Sequence, residues 1–412
     1  MNKGTSLMRY FILYIFIFIF SGQAFAVTLI PPTELPNWLQ KELKKEKKVK
    51  KTSPLKIESL GIDSKIKGKI TKAESIDNYH YYVIDIKTKT PVECYIFTEF
   101  DGAANSLYNM MNVGLEGSAT LNNKPLTGKF NLSLESGVIE ATPYLSLDVL
   151  YKLGNDAESL LGTMKGLSAR THNSLQVCIH NEVGYNKSFF SVFESFVNAV
   201  ASSNKSDNFL VAVYQFTLNN IPVGYGRDIF TKDSNGDIES STDSSLMIPV
   251  DANTIARSDS LLKSWSKPNG NLINAFSNAI DNGAYTHFYT LQPDENLWVA
   301  EGESQGKAQR YTLAHKGPIL SSYGSYVKSA ELLKSTNNTT EALMWMPEVD
   351  PSATTQMTLN KLIKDPDANI EINMGPMLIK TLMDNNGILK KGKMIMGPIE
   401  MNMKLLHKQG QL

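Results

Sequence analysis

Phe209-Leu210-Val211-Ala212-Val213-Tyr214-Gln215-Phe216 decides how this chain is read. The run is apolar almost throughout and rich in β-branched and aromatic residues, the pattern of a strand buried on both faces. Asn219-Asn220 makes the turn that follows, and residues 221–230 return as a second strand. Pro222, near its start, argues for an edge or a bulge there. Beyond it, Asp233-Ser234-Asn235-Gly236-Asp237 has the composition of a calcium loop, but neither register completes one. With Gly236 as the loop glycine, the twelfth place holds Thr242; with Asp233 in first place, it holds Ser244 and Ile238 stands where the glycine is needed. Asn235-Gly236 is instead the pair favoured in a tight hairpin turn.

Toward the N-terminus, Phe189, Val192, Phe193, Phe196 and Val200 fall on one face at intervals of three and four, which predicts a helix over residues 187–200 with its apolar stripe packed on a core. Residues 174–179 read as a strand, and residues 143–161 as a helix on the spacing of Leu147, Leu150 and Tyr151. A second hairpin is expected over residues 117–134. Before it, Asp101 is the expected cap of a helix running through Met111 and ended by the glycines at 114 and 117. Period-two segments at 79–86 and 92–99 form a hairpin across Thr90-Pro91.

Toward the C-terminus, the polar residues 240–245 and Pro249 mark a candidate domain boundary. Helical spacing is read around Leu261, Leu262 and Trp265, and again around Leu272, Ile273, Phe276 and Ile280. Strands are expected at 285–291, 297–301, 308–314 and 341–346, with a short helix at 326–335. The segment around Tyr82-Val83 and Tyr95 can be laid over Trp298-Val299 and Tyr311, and residues 139–145 over 370–378. The offset changes between the two matches, so internal duplication and coincidence both stay open. The expected fold is α+β: antiparallel sheets with helices packed on one face, over residues 55–239 and 246–412, with two similar domains as one form of it.

Composition narrows the function classes. Forty-one basic residues balance 41 acidic ones, so no global field draws the chain to nucleic acid. Only Arg9, Arg170, Arg227, Arg257 and Arg310 carry the planar fork that reads phosphate and guanine. Residues 1–26 have a basic start, a short apolar run and Ala24-Phe25-Ala26, which reads as a secretory signal peptide. Export, to a periplasm or to the outside, would put Cys94 and Cys178 in an oxidising compartment, where an even pair favours one disulfide. Residues 27–54 read as a basic flexible arm, with Lys44, Lys45, Lys47 and Lys48 as its surface for a partner or an anionic membrane. After cleavage no transmembrane span is expected.

Ten of the 16 methionines lie between Met344 and Met403. Thioethers suit copper(I), but spacing by two along strands is the pattern of sheet filler facing an apolar ligand. Met374, Met377, Met394 and Met396 are therefore the candidate ligand-lining residues. No Gly-x-Ser-x-Gly, His-Glu-x-x-His, phosphate loop or Cys-x-x-Cys is present, so no catalytic residue, metal site or cofactor is assigned. The expected role is an exported cell-envelope or secreted binding or structural module that meets a protein partner. A carrier of apolar ligand or lipid is the second reading, and a hydrolase without a familiar motif the third.

Overall fold

The computed structural model describes residues 29–412 except 156–157, 172, 203–206, 314 and 316. The expected leader and its cleavage site lie outside the described residues. The fold is mixed α and β, with antiparallel strand pairing throughout three sheets. A small hairpin joins β1 (Thr52–Ile57) to β2 (Ile62–Lys67). A seven-stranded sheet is built from β3 (Lys69–Ile76), β4 (Tyr79–Asp85), β5 (Val92–Phe97), β6 (Leu126–Ile139), β7 (Thr142–Leu153), β8 (Leu160–Arg170) and β9 (Leu175–His180). Its order is β3-β4-β5-β9-β8-β7-β6.

Among the described residues four α-helices accompany the sheets: α1 (Asn37–Glu42), α2 (Ala103–Leu121), α3 (Asn186–Ala201) and α4 (Ser322–Lys334). Cys94 and Cys178 sit opposite one another on β5 and β9 and form the expected disulfide, with Cα atoms 4.1 Å apart. On that face α3 buries the stripe read from the sequence, Phe189, Val192, Phe193, Phe196 and Val200, against Cys94, Ile96 and Cys178. Each such side chain contributes about 1.5–3 kcal/mol. The opposite face carries Leu175, Val177 and Ile179, covered by Leu107, Met111 and Leu115 of α2. Helices therefore lie on both faces of this sheet, not on one. The apolar residues of β5 and β9 alternate sides, so each face needs its own cover.

The remaining strands form one 14-stranded sheet. From its centre, β10 (Asn208–Leu218) leads through β11 (Ile221–Lys232), β12 (Ile238–Pro249), β13 (Ile255–Ser266), β14 (Leu272–Asp281), β15 (Ala284–Asp294) and β16 (Leu297–Ser304) to β17 (Lys307–Leu313) at one edge. After α4 the chain restarts at the other edge with β18 (Thr339–Trp345). It works back through β19 (Thr354–Lys361), β20 (Ile370–Met374), β21 (Met377–Met383) and β22 (Leu389–Met396) to β23 (Ile399–Gly410), which pairs with β10. The change of sheet thus falls between α3 and β10, and residues 240–245 lie inside β12.

Four segments read as helix or hairpin take other forms. Residues 143–161 are mainly β7, whose Leu145, Leu147 and Val149 pack toward α2 while Leu150 packs on α1, so burial on both faces erased the period of two. Leu261 and Ile280 lie in β13 and β14, where small residues such as Ser264, Ala275, Ser277 and Ala279 occupy the buried positions and leave no apolar alternation to read. Helix α2 continues through Gly114 and Gly117 to Leu121, and only then does β6 begin. Gly114 is held against Met164 and Ile179, a close approach that a larger side chain would block.

The cap of α2 comes from the other sheet. Asp259 of β13 accepts from the amides of Ala104 and Asn105 at 3.0 and 2.9 Å and from the Asn105 side chain at 2.7 Å. Asp101, the residue expected to cap, instead accepts from Tyr285 Oη at 2.8 Å. A Cβ on Gly102, at φ +145°, would meet the Asp259 carboxyl carbon at 2.2 Å, so glycine is required for the approach. Nearby, Arg227 Nε donates to Asp243 Oδ1 at 2.9 Å and its Nη1 donates to the Arg170 carbonyl at 2.7 Å. Both side chains of this ion pair are buried, and they tie β11 and β12 to the end of β8.

Candidate functional site

The larger sheet has one face against the smaller sheet and one face turned inward. On β12 the first includes Asp243, Ser245 and Met247, all buried, while Thr242, Ser244, Leu246 and Ile248 on the other are half-buried. The register carries this inner face from strand to strand, because residues directly opposite in a sheet share a side. Asp228, Thr242, Leu262, Ser277 and Tyr289 form one inner row from β11 to β15.

The sheet is rolled as a spiral. Trp345 of β18, on the side opposite Met344, packs with Tyr289, Leu291, Ala300 and Leu313 from the inner face of the other arm. One arm therefore tucks inside the other. Leu320 fastens them, bridging Asn271 and Met344, with its amide 2.8 Å from the Leu343 carbonyl. Between the arms lies α4, whose Ser321 cap accepts from the Gly324 amide. Tyr326 donates to Asp228 on β11 and meets Tyr214 Oη of β10 at 2.9 Å; Thr242 donates to Asp228 at 2.7 Å. Burial raises the Asp228 carboxyl, partly offset by these donors, and burial beside Asp228 holds the Tyr326 phenol well above its usual range. The helix is anchored to the sheet by a satisfied buried carboxylate.

The four candidate methionines lie on the inner face. Met374 pairs with Met377, Met377 with Met396 and Met396 with Ile399, giving a row across four strands. Met394 stands two residues from Met396 on the same side, opposite Ile379 and Met401. The repeated Met-Gly-Pro explains the row: Gly375 and Gly397, at φ +54° and +58°, start two-residue loops that place a methionine at the last pair of each hairpin. Met374, Met377, Met394 and Met396 are half-exposed. Further along the same face, Met357, Leu359 and Ile370 are buried beneath Leu332 of α4. The inner face therefore has a covered part and an uncovered part.

The inner face of β12 to β14 is rich in hydroxyls. Ser244 and Ser260 hydrogen bond across β12 and β13 at 2.9 Å. Ser277 Oγ lies 3.0 Å from His287 Nε2 and 3.3 Å from a carboxylate oxygen of Glu348. Burial lowers the His287 pKa, and Glu348 and Asp281 oppose that shift. Here the carboxylate holds the hydroxyl and not the far nitrogen of the imidazole, so the set differs from a serine nucleophile whose base is oriented by an acid. A cavity of about 170 Å³ beside His287 is lined also by Tyr285, Phe288, Glu303 and Gln305. The sequence reading missed this group, because its members lie on separate strands and a loop, at no motif spacing.

The basic arm is docked where it is described. Tyr185 donates its amide to the Lys45 carbonyl at 2.6 Å, and Glu46 accepts from the amides of Lys187 and Ser188 at 2.8 and 3.1 Å, capping α3. Lys44, Lys45, Lys47 and Lys48 are exposed; Lys45 pairs with Glu42 at 2.5 Å and Lys47 donates to the Lys87 carbonyl at 2.7 Å. Beneath α3 runs a polar row, half-buried Asp148 with buried Lys165 and His180, one residue each from β7, β8 and β9. Lys165 donates to the carbonyl of Gly184 and to Asn186 Oδ1. Burial brings Lys165 down to about 8 and pushes Asp148 up to about 6, although each partly offsets the other's shift. Burial, with Lys165 adding to it, holds His180 at about 4.

Among the described residues no cluster of three or more His, Cys, Asp or Glu could hold a metal, and no helix is long and apolar enough to cross a membrane.

No family model and no curated protein matches the chain. Among solved structures, it is similar to a β-barrel-like protein of a domain of unknown function from Brucella abortus, at 12% identity and a TM-score of 0.40, covering 48% of this chain and 96% of that one. It also matches the di-domain ARO/CYC protein StfQ from the steffimycin biosynthetic pathway, at 9% identity and a TM-score of 0.11, covering 66% and 78% of the two chains. At these TM-scores neither likeness carries an argument.

Proposed function

We propose that the protein is an exported binding protein, periplasmic or secreted, that holds an apolar or amphiphilic ligand against the inner face of its rolled sheet. One observation carries the reading: the row Met374–Met377–Met396–Ile399, with Met394 beside it, is apolar and half-exposed on the inner side. Soluble proteins seldom leave contiguous apolar surface open without a use for it. Methionine side chains are flexible and polarisable, and so adapt to acyl chains of differing shape. The half-buried Ser244 and Ser260, on the inner face of β12 and β13, would supply hydrogen bonds for a polar head. The Cys94–Cys178 disulfide supports maturation in an oxidising compartment.

Native mass spectrometry of protein purified from its producing cells tests the reading. Wild type should carry a lipid-sized adduct, and Met377→Lys and Met394→Lys should emerge without it while keeping the far-ultraviolet spectrum. A fluorophore-labelled long-chain fatty acid should bind wild type and fail to bind both variants. Binding that survives both substitutions, or wild type that neither carries an adduct nor takes up the fatty acid, overturns the proposal.

A further inference from the structure

Helix α2 covers the face of the smaller sheet over β9, and its cluster reaches β5 only at Phe97. Past Val177 and Ile179 the same face continues onto β5, β4 and β3, through residues directly paired with the covered ones: Tyr95 opposite Val177, Glu93 opposite Ile179, and Tyr81 opposite Tyr95. Tyr81, Tyr95 and Phe97 are half-exposed. Their rings form a continuous platform, with centroids 4.8 Å apart for Tyr81 and Tyr95 and 5.8 Å for Tyr95 and Phe97, the latter pair only 9° from parallel.

The platform is acidic. Glu93 accepts from Tyr95 Oη at 3.1 Å, and Glu74 borders Tyr81 on β3. Phenol hydroxyls leave the Glu93 charge uncompensated, unlike a lysine or arginine. The faces of the rings are negative as well, since an aromatic quadrupole places its electron density above the ring. The chain's own Lys72 shows which ligand suits such a surface. Its ammonium sits 5.4 Å from the Tyr81 centroid and 2.8 Å from Glu74, a cation held between ring and carboxylate.

We propose that this platform docks an arginine- or lysine-bearing segment of a protein partner. Its cation would lie over Tyr81 and Tyr95 beside Glu93, in competition with Lys72. Charge complementarity selects the occupant: ring faces and two carboxylates against one internal lysine favour a cation, and stacking on tyrosine favours the planar guanidinium. The site stands apart from the methionine face and does not depend on it.

The test uses the full mature chain and two amidated peptides, Gly-Arg-Gly-Arg-Gly and its glutamate counterpart, titrated by NMR. Wild type should bind the arginine peptide, with upfield ring-current shifts of the arginine side-chain protons, and ignore the glutamate peptide. Glu93→Gln, which keeps the shape, should weaken binding about tenfold. Tyr81→Ala should remove the upfield shifts. Lys72→Ala should tighten binding by freeing the ring, and Lys56→Ala, on the β1–β2 hairpin, should change it little. Equal binding of the two peptides, no binding of either, or affinity unmoved by Glu93→Gln overturns the proposal.

Discussion

Two rows of side chains cross the two sheets, one residue per strand, and their chemistry is the reverse of what position suggests. In the smaller sheet Asp148, Lys165 and His180 lie beneath a helix and a docked arm; in the larger, Met374, Met377, Met396 and Ile399 are half-open. Lys165 is covered where acceptors and the Asp148 charge offset its desolvation, and His180 is covered in its neutral form, with Nδ1 left without a partner. The apolar row is packed at its two ends, Met374 on the cluster under α4 and Ile399 on the core beside α2, yet stays half-exposed along its length. The first arrangement belongs to the packed interior, and the second is the surface on which the proposed ligand would lie.

The strongest way to break this contrast is at Lys165. Lys165→Met strips the donor from the Gly184 carbonyl and Asn186 and leaves Asp148 facing burial without its cation. Chemical denaturation should show a loss of about 3–5 kcal/mol, because two acceptors lose a charged donor at about 1.5–3 kcal/mol each. The double variant Lys165→Met, Asp148→Leu should recover part of that, because an apolar pair of similar volume needs no compensation. If the single variant is as stable as wild type, the row is not structural.

Next comes a contrast within the inner face itself. Met357 shares that face with Met394 but lies beneath Leu332, only 1% exposed. Met357→Ala should cost about 2–5 kcal/mol through lost burial and the cavity left behind. Met394→Ala, at an open position, should cost well under half of that. Equal losses would mean that the methionine row is ordinary core.

Titration sharpens the smaller sheet's side of the comparison. His180 is held at about 4, so between its usual 6.5 and that value the unfolded chain takes up a proton that the folded chain refuses, and stability falls as pH drops. Asp148 is raised to about 6, so between 6 and its usual 3.8 the folded chain takes the proton first, and stability rises as pH drops. From pH 6 to 4 the two slopes oppose one another. Asp148→Asn removes one of them, and its stability should fall more steeply than that of wild type over this window, by up to about 1.4 kcal/mol per pH unit. Parallel curves for the two proteins would show that the carboxyl is not raised in the fold.

Much of this was legible before the fold, and the limits have physical causes. The stripe Phe189, Val192, Phe193, Phe196 and Val200 announced α3 because one face of that helix meets the core and the rest is polar. Cys94 and Cys178 could be paired because both sat in short apolar strands. The methionines stood out by their crowding between Met344 and Met403, with Met394 and Met396 spaced by two, and the Met-Gly-Pro repeats that align the row were visible but unexplained. Strands β7, β13 and β14 were hidden because their buried positions are either apolar on both sides or filled by serine and alanine. Asp259 could not be identified as the cap of α2, since 154 residues separate it from Asn105. Nor could the roll of the larger sheet be foreseen, since it is set by a contact between its two ends at Trp345 and Leu313.

The smallest effect on the fold should accompany the largest effect on binding. Met396 is half-exposed beside the Gly397 loop, so Met396→Lys lets the ammonium reach water and should shift the stability of the free protein by no more than about 0.5 kcal/mol. A ligand that binds only the folded state raises wild-type stability by about 2.7 kcal/mol at a hundredfold excess over its Kd. With the labelled fatty acid present, wild type should therefore melt well above its free form, while Met396→Lys should melt where it did before. A lysine in the row sets a desolvated charge against an acyl chain, which costs binding without touching the packed layers under α4. Should the variant gain as much from the ligand as wild type does, the open row is not where the ligand sits, and its exposure must be explained by something other than binding.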